Sequence, residues 1–172
     1  MSVDGVDGAA VLAAARGALG STARGGISRW DASGIFQDLS VADAAAGAPS
    51  ARTLLLLYAA DLAFRLRWQI RPALAEGRTV VAAPYVETAV AFGRAAGLPA
   101  GWLTNLFRFA PHAGDCRFVH PRGRAAIVKD GFVGFGCERM DSVGGMTPRH
   151  IVHAAAVYLR DAARRAPRKR AS

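Results

Sequence analysis

The stretch Thr79-Val-Val-Ala-Ala83 is a continuous run of small, mostly apolar residues enclosed by Gly77 and Pro84. A strand with one wet face alternates apolar and polar side chains, whereas a run without alternation has to be covered on both faces. That leaves few architectures: a parallel sheet with helices packed on each side. The preceding sequence supplies one such helix. Pro49-Ser50 is a stop followed by an N-cap residue, and residues 51–75 read as a long helix ended by Gly77. From Leu54 to Leu66 this helix is apolar nearly all round, so it is buried on more than one side, by the sheet and by a second surface. Pro72, near its end, is expected to kink it.

The remaining elements fit the same plan. Residues 9–19 are Ala-rich and helical by propensity, and the residues before them leave room for only a stub of strand. Residues 27–30 read as a short strand, 31–34 as a turn and 35–39 as a scrap of helix. Helices are expected at 86–96 and 101–109, and a strand at 115–120. A last helix opens at Thr147-Pro148, a cap followed by Pro in the first helical position, and runs to about 166. The Gly-rich residues 121–143 give no assignment. The reading is one α/β domain over residues 1–166, a small parallel sheet flanked by helices in three layers, with residues 167–172 as a basic tail.

Composition narrows the partners. With 52% hydrophobic and 20% charged residues the chain is globular, and 172 residues suit one domain better than two. The net charge of +9 is partly local: Arg160, Arg164, Arg165, Arg168, Lys169 and Arg170 crowd the end of the chain, as a solvated helix end and tail do. Nucleic acid is therefore not the expected partner, and salt-dependent duplex binding lost with the tail would be its mark. The most apolar stretch, Leu54 to Leu66, contains Asp61 and Arg65 and falls short of the ~18–20 residues that span a bilayer, so no membrane partner is expected. Cys116 and Cys137 give no disulfide framework, and no signal-peptide pattern opens the chain; a cytoplasmic protein is expected.

Between Arg52 and Pro111 several short motifs follow one another in fixed register. They are Leu54-Leu-Leu-Leu-Tyr-Ala-Ala-Asp61, Ile70-Arg-Pro-Ala-Leu-Ala-Glu-Gly77, Thr79-Val-Val-Ala-Ala-Pro-Tyr85 and Thr88-Ala-Val-Ala-Phe92. This resembles the middle of thymidylate kinase. The family has a helix reading Leu-Leu-Phe-Ala-Ala-Asp-Arg, then Ile-x-Pro-Ala-Leu-x-x-Gly, a buried strand ending Asp-Arg-Tyr, and Ser-x-x-Ala-Tyr. The start of the chain is similar too. Asp4-Gly-Val-Asp-Gly-Ala9 stands where the family has Glu-Gly-x-Asp-Gly-x-Gly-Lys-Ser/Thr, and Ser28-Arg-Trp-Asp-Ala-Ser-Gly34 where it has Thr-Arg-Glu-Pro-Gly-Gly-Thr. Beyond Pro111 the similarity fades, and no Arg-rich lid segment is found.

The resemblance implies a P-loop NTPase-like fold with a degenerate phosphate loop at Asp4, Gly5, Asp7 and Gly8. It implies a nucleoside or substrate pocket drawn from Arg29, Tyr58, Asp61, Arg65, Tyr85, Thr88 and Phe92. Tyr58 stands where the family has an aromatic that stacks on thymine, and Phe92 where it has a similar Tyr; core packing is the competing reading for both.

The departures bear on function. A working phosphate loop ends in Gly-Lys-Ser/Thr, whose Lys neutralises the β/γ oxygens and whose hydroxyl holds Mg²⁺. Here those positions are Ala10, Val11 and Leu12. The family's Asp-Arg-Tyr is Ala83-Pro84-Tyr85, and the Arg after the helix Asp is Leu62, with Arg65 and Arg67 a turn further on. Phosphoryl transfer depends on positioned charge, and one arginine-type contact is worth about 10³–10⁵ in rate. The expected protein is thus a relative without catalytic residues, metal or cofactor. It would hold a nucleoside or nucleotide weakly, or serve as an assembly or regulatory subunit. With Val11 in place of the cation, added phosphates should contribute little to affinity. The alternative is an active dTMP kinase in which Arg65, Arg67 or the Arg122/Arg124 segment substitutes, and only then are ATP and Mg²⁺ implied. A homodimer is expected from the helix apolar on all sides, with Leu55, Leu62 and Leu66 needing cover, and from the family, which pairs through such helices.

The other signals are weak. His150 and His153 lie at i, i+3 without a third ligand, and Cys116 with His120 would need Cys137 to suggest zinc. Val133-Gly-Phe-Gly136 is a lone glycine pair, not a dinucleotide fingerprint.

Overall fold

A computed structural model describes residues 1–22, 24–35, 49–120 and 148–165. The run singled out above is β3, Thr79–Ala83, with strands on both sides of it. On one side lies β2 (Gly25–Arg29), paired in parallel from Gly25 opposite Thr79 to Arg29 opposite Ala83. On the other lies β1 (Ser2–Asp4), parallel again, followed by β4 (Cys116–Phe118). The four described strands form one parallel sheet in the order β2-β3-β1-β4.

Both faces of β3 are covered, as its lack of alternation requires. Val81 and Ala83 join Val3 in a small core under α1 (Gly8–Leu19), which supplies Val11 and Ala15. Val80 and Ala82 face the larger core on the opposite side. There they meet α2 (Ala51–Arg65), with α4 (Val86–Ala95), α5 (Ala100–Phe107) and α6 (Pro148–Arg165) completing that layer. The result is a three-layer α/β arrangement around a small sheet. The layers approach closely at Gly93 of α4, where a Cβ would press on Leu103 and come within 2.8 Å of Leu55.

Local signals set several boundaries. Asp7 caps α1 by accepting the Ala10 N–H at 3.0 Å, and Ser50 caps α2 by accepting the Thr53 N–H at 3.1 Å. The helix from Ala51 does reach Ala75, but Pro72 does not break it. Residues Leu66–Ile70 form one wide π turn before the short α3 (Arg71–Ala75), with the Arg71 N–H bonded to the Leu66 carbonyl. A widened turn accommodates a residue that has no N–H and whose ring crowds the preceding turn.

Other elements differ from expectation. β2 starts at Gly25 and ends before Trp30, because its pairing with β3 sets its length. The stub at the N-terminus is an interior strand of the sheet: Ser2 stands opposite both Ala82 and Cys116. The helix scrap expected at 35–39 lies outside the described residues from 36 onward. So do the Gly-rich 121–143 segment, with Arg122, Arg124 and Cys137, the Thr147 cap and the basic tail.

The all-round apolar helix resolves into two stripes. Leu55, Leu62 and Leu66, expected to need outside cover, are buried within the chain. The exposed stripe is a different one: Leu56 is 51% exposed, Phe64 38% and Trp68 63%, spaced at four- and eight-residue intervals. Among the described residues no helix is long and apolar enough to cross a membrane.

Candidate functional site

The chain leaves β1 through α1 for one edge of the sheet, and leaves β3 for the other. Adjacent strands β1 and β3 therefore send their connections in opposite directions. The crevice at the carboxyl ends of such a pair is where open α/β sheets bind ligands. Asp4 ends β1, and Pro84-Tyr85 follow β3.

Asp4 is fully buried there. Its Oδ1 accepts the Tyr85 N–H at 2.9 Å, the Thr88 N–H at 3.0 Å and the Thr88 hydroxyl at 2.8 Å. Tyr85 occupies the N-cap position of α4 and makes no side-chain cap of its own. Asp4 thus caps α4 from a neighbouring strand, satisfying N–H groups that the helix leaves unbonded. Thr88 Oγ1 in turn accepts the Gly5 N–H at 3.0 Å, and the Cys116 thiol donates to Asp4 Oδ2 at 3.7 Å. Burial raises the pKa of the Asp4 carboxyl against the hydrogen bonds that lower it. Burial likewise pushes the Cys116 thiol up to about 11, the condition of a structural thiol rather than a nucleophile.

Of the residues expected to form a degenerate phosphate loop, Asp4 carries this network and Gly5 joins it through Thr88. A Cβ on Gly5 would lie 2.8 Å from Val11 Cγ2 and 2.9 Å from the Val119 carbonyl oxygen. The space beneath the loop is therefore filled by an apolar side chain of the small core. Gly5 is needed for that close approach, and Asp7 serves as the α1 cap.

A second cluster joins the site from α2. Asp61, buried, accepts the Asp31 N–H at 3.0 Å, the Ser33 N–H at 3.0 Å and the Ser33 hydroxyl at 2.8 Å. It holds the turn after β2, in which Asp31 adopts the left-handed region at φ 58°. Such a conformation costs of order 1–3 kcal/mol in a non-glycine residue and persists where surrounding structure enforces it. One turn along α2, Arg65 is 0% exposed, the largest fully buried side chain described. Its Nη2 donates to the Pro84 carbonyl at 2.8 Å. Its Nε stands 3.9 Å from Asp61 Oδ2, within ion-pair range but without a hydrogen bond, and Nη1 also has no hydrogen-bond partner. A guanidinium offers five donors, and a buried charge with donors unspent is costly unless an anion completes it.

The residues expected in a nucleoside pocket separate accordingly. Asp61, Arg65, Tyr85 and Thr88 gather at the carboxyl ends of β1 and β3. Tyr58 and Phe92 lie in the core with no exposed surface. The Tyr58 hydroxyl donates to the Tyr85 carbonyl at 2.6 Å, and its ring meets Phe107 edge-on with centroids 6.1 Å apart. Burial raises its hydroxyl pKa above the usual tyrosine range. Arg29 is exposed at the end of β2, and Arg67 is exposed with its guanidinium over the Trp68 ring at 5.2 Å.

The turn expected at 31–34 is present, but sequence reasoning missed its anchoring by Asp61, the Cys116 contact and the capping role of Asp4. Only the polar Asp31-Ala-Ser-Gly34 turn carried a local signal for any of these. His120, His150 and His153 are exposed, and among the described residues no group of three His, Cys, Asp or Glu side chains could hold a metal. Compared with known proteins, the chain matches no family model and shows no significant match to a curated protein.

Proposed function

We propose that the chain is a thymidylate-kinase-like protein without phosphoryl transfer, which holds a nucleoside monophosphate or similar small anion at the Arg65 crevice. The observation that carries this reading is the buried Arg65 guanidinium, with Nε and Nη1 unspent at the carboxyl end of the sheet. Val11 beneath Gly5 supports the other half, since that position offers an apolar side chain where a kinase has its cation. An active kinase is the second reading, and Arg65 is the feature that favours it, as the single described substitute that faces inward.

A titration of thymidine, thymidylate and ATP followed by amide chemical shifts tests the reading. In place of the expectation that phosphates contribute little, the unspent Arg65 donors should make thymidylate bind tighter than thymidine, because a hydrogen bond to a charged group is worth about 1.5–3 kcal/mol. ATP should leave Gly5 to Ala10 unmoved. Arg65→Met, similar in size, should lower apo stability, because it leaves the buried Asp61 carboxylate without its cation and the Pro84 carbonyl without its donor. It should also abolish the advantage of thymidylate. An Arg65→Met protein that binds thymidylate as before would sink the assignment.

Assembly belongs to the same proposal. The Leu56, Phe64 and Trp68 stripe on α2 and the following turn is apolar surface of the kind a second copy covers. Light scattering at micromolar concentration should give twice the 18.0 kDa chain mass. Phe64→Glu should return a folded monomer. A wild-type monomer would remove the dimer from the proposal and leave the stripe as exposed surface.

A further inference from the structure

On α4, Glu87, Val90, Ala91 and Arg94 repeat at i, i+3, i+4 and i+7 and so share one helical face. That face lines a cleft of about 880 Å³. Its other wall is the Tyr158, Leu159, Ala162 and Arg165 face of α6, spaced at i, i+1, i+4 and i+7. The volume lies within the ~300–1,000 Å³ of small-molecule sites. Tyr85 lines it but Arg65 and Asp61 do not, so the inference goes beyond the function proposed above.

The chemistry of the walls is uneven. Leu103, Phe107, Phe118 and Leu159 provide an apolar interior. Three arginines, Arg94, Arg108 and Arg165, line the cleft with a single acidic residue among those described, Glu87, and the Arg165 Nε is bonded to the Asp161 carbonyl at 3.2 Å. Arg94 is held over the Tyr158 ring at 6.0 Å, so it is partly oriented before any ligand arrives. Burial raises the pKa of Glu87, and the nearby Asp4 charge raises it further against the opposing effect of His112, which weakens the negative end. The Ser2 hydroxyl, 1% exposed, lines the cleft beside the Cys116 thiol, with which it shares a hydrogen bond.

We propose that this cleft binds a small amphipathic anion, a free molecule with an apolar or aromatic body between α4 and α6 and a carboxylate, sulfonate or phosphate group at the arginines. The experiment uses 8-anilinonaphthalene-1-sulfonate as the fluorescent probe, with decanoate, decanol and decyltrimethylammonium as competitors. The probe should saturate at one site per chain. Decanoate should displace it about tenfold better than decanol, the equivalent of one charge-assisted contact, and the cation should be the weakest. Arg94→Gln combined with Arg108→Gln changes exposed side chains only, and should erase the preference for decanoate while leaving the thermal midpoint in place. Val90→Trp, which fills the cleft, should abolish displacement by both decanoate and decanol. Equal competition by decanol, an unchanged preference in the double variant or unsaturable probe binding would each overturn the proposal. Binding to phosphatidylglycerol vesicles with none to free decanoate would overturn it in favour of a membrane surface. Thymidylate binding through Arg65 is measured separately, so failure of either site leaves the other standing.

Discussion

Asp4→Ala is expected to lower the unfolding free energy by about 3–5 kcal/mol, because it strands buried donors that cost about 1–3 kcal/mol each. The donors are the Tyr85 N–H, the Thr88 N–H and the Thr88 hydroxyl, all bonded to one carboxylate oxygen. Asp4→Asn should cost much less, since the amide oxygen still accepts. The two variants also differ in their response to pH. The Asp4 carboxyl has its pKa raised in the native state above its ordinary value of 3.8, with burial as the largest cause. The folded chain therefore binds that proton more tightly than the unfolded chain. Between the two pKa values stability falls as pH rises, and above the folded pKa it no longer changes through this group. Glu87, also raised by burial, contributes with the same sign. Urea unfolding across mildly acidic pH should show wild-type stability falling towards neutrality with a slope that Asp4→Asn reduces. An Asp4→Ala midpoint equal to wild type would show that the network is not what holds α4 to the sheet.

A coupled assay with ATP, Mg²⁺ and thymidylate is expected to match the no-enzyme blank, against the about 1–100 s⁻¹ of working kinases. The loss should not be repaired by restoring one residue. Val11 is 2% exposed and packed under Gly5, so Val11→Lys would place an ammonium in the small core instead of above the loop. A buried, unpaired charge destabilises strongly. The variant should therefore unfold at lower denaturant concentration and still show no turnover. Measurable transfer by the wild-type protein would overturn the proposed function in favour of a kinase using Arg65. Transfer by Val11→Lys alone would show that the loop can still open around phosphates.

Some of this was legible in the chain and some was not, for identifiable reasons. The lack of alternation in Thr79-Val-Val-Ala-Ala83 required two covered faces, and β3 has them. Asp7 and Ser50 announced helix starts because a cap bond closes within three residues. The all-round apolarity of α2 required cover on several sides, but it could not say which stripe would turn inward. That depended on how α4 and the sheet pack against it, and the stripe left exposed carries Leu56, Phe64 and Trp68. Tyr58 and Phe92 could be a stacking slot or core on sequence alone, since the same aromatic residue serves either. Their complete burial is a property of the neighbours.

By itself, then, the sequence determined what depends on near neighbours: helix starts, the doubly covered strand and the absence of a cation at Ala10-Val11-Leu12. The tertiary structure alone decided that a three-residue stub is an interior strand, because Ser2 becomes one only opposite Ala82 and Cys116. It also decided that Asp4 caps a helix beginning more than eighty residues later, and that Arg65 is left with unspent donors. A cap bond three residues away is set by local backbone geometry. A bond across eighty residues exists only after the sheet has brought its ends together, and no spacing in the sequence encodes that encounter.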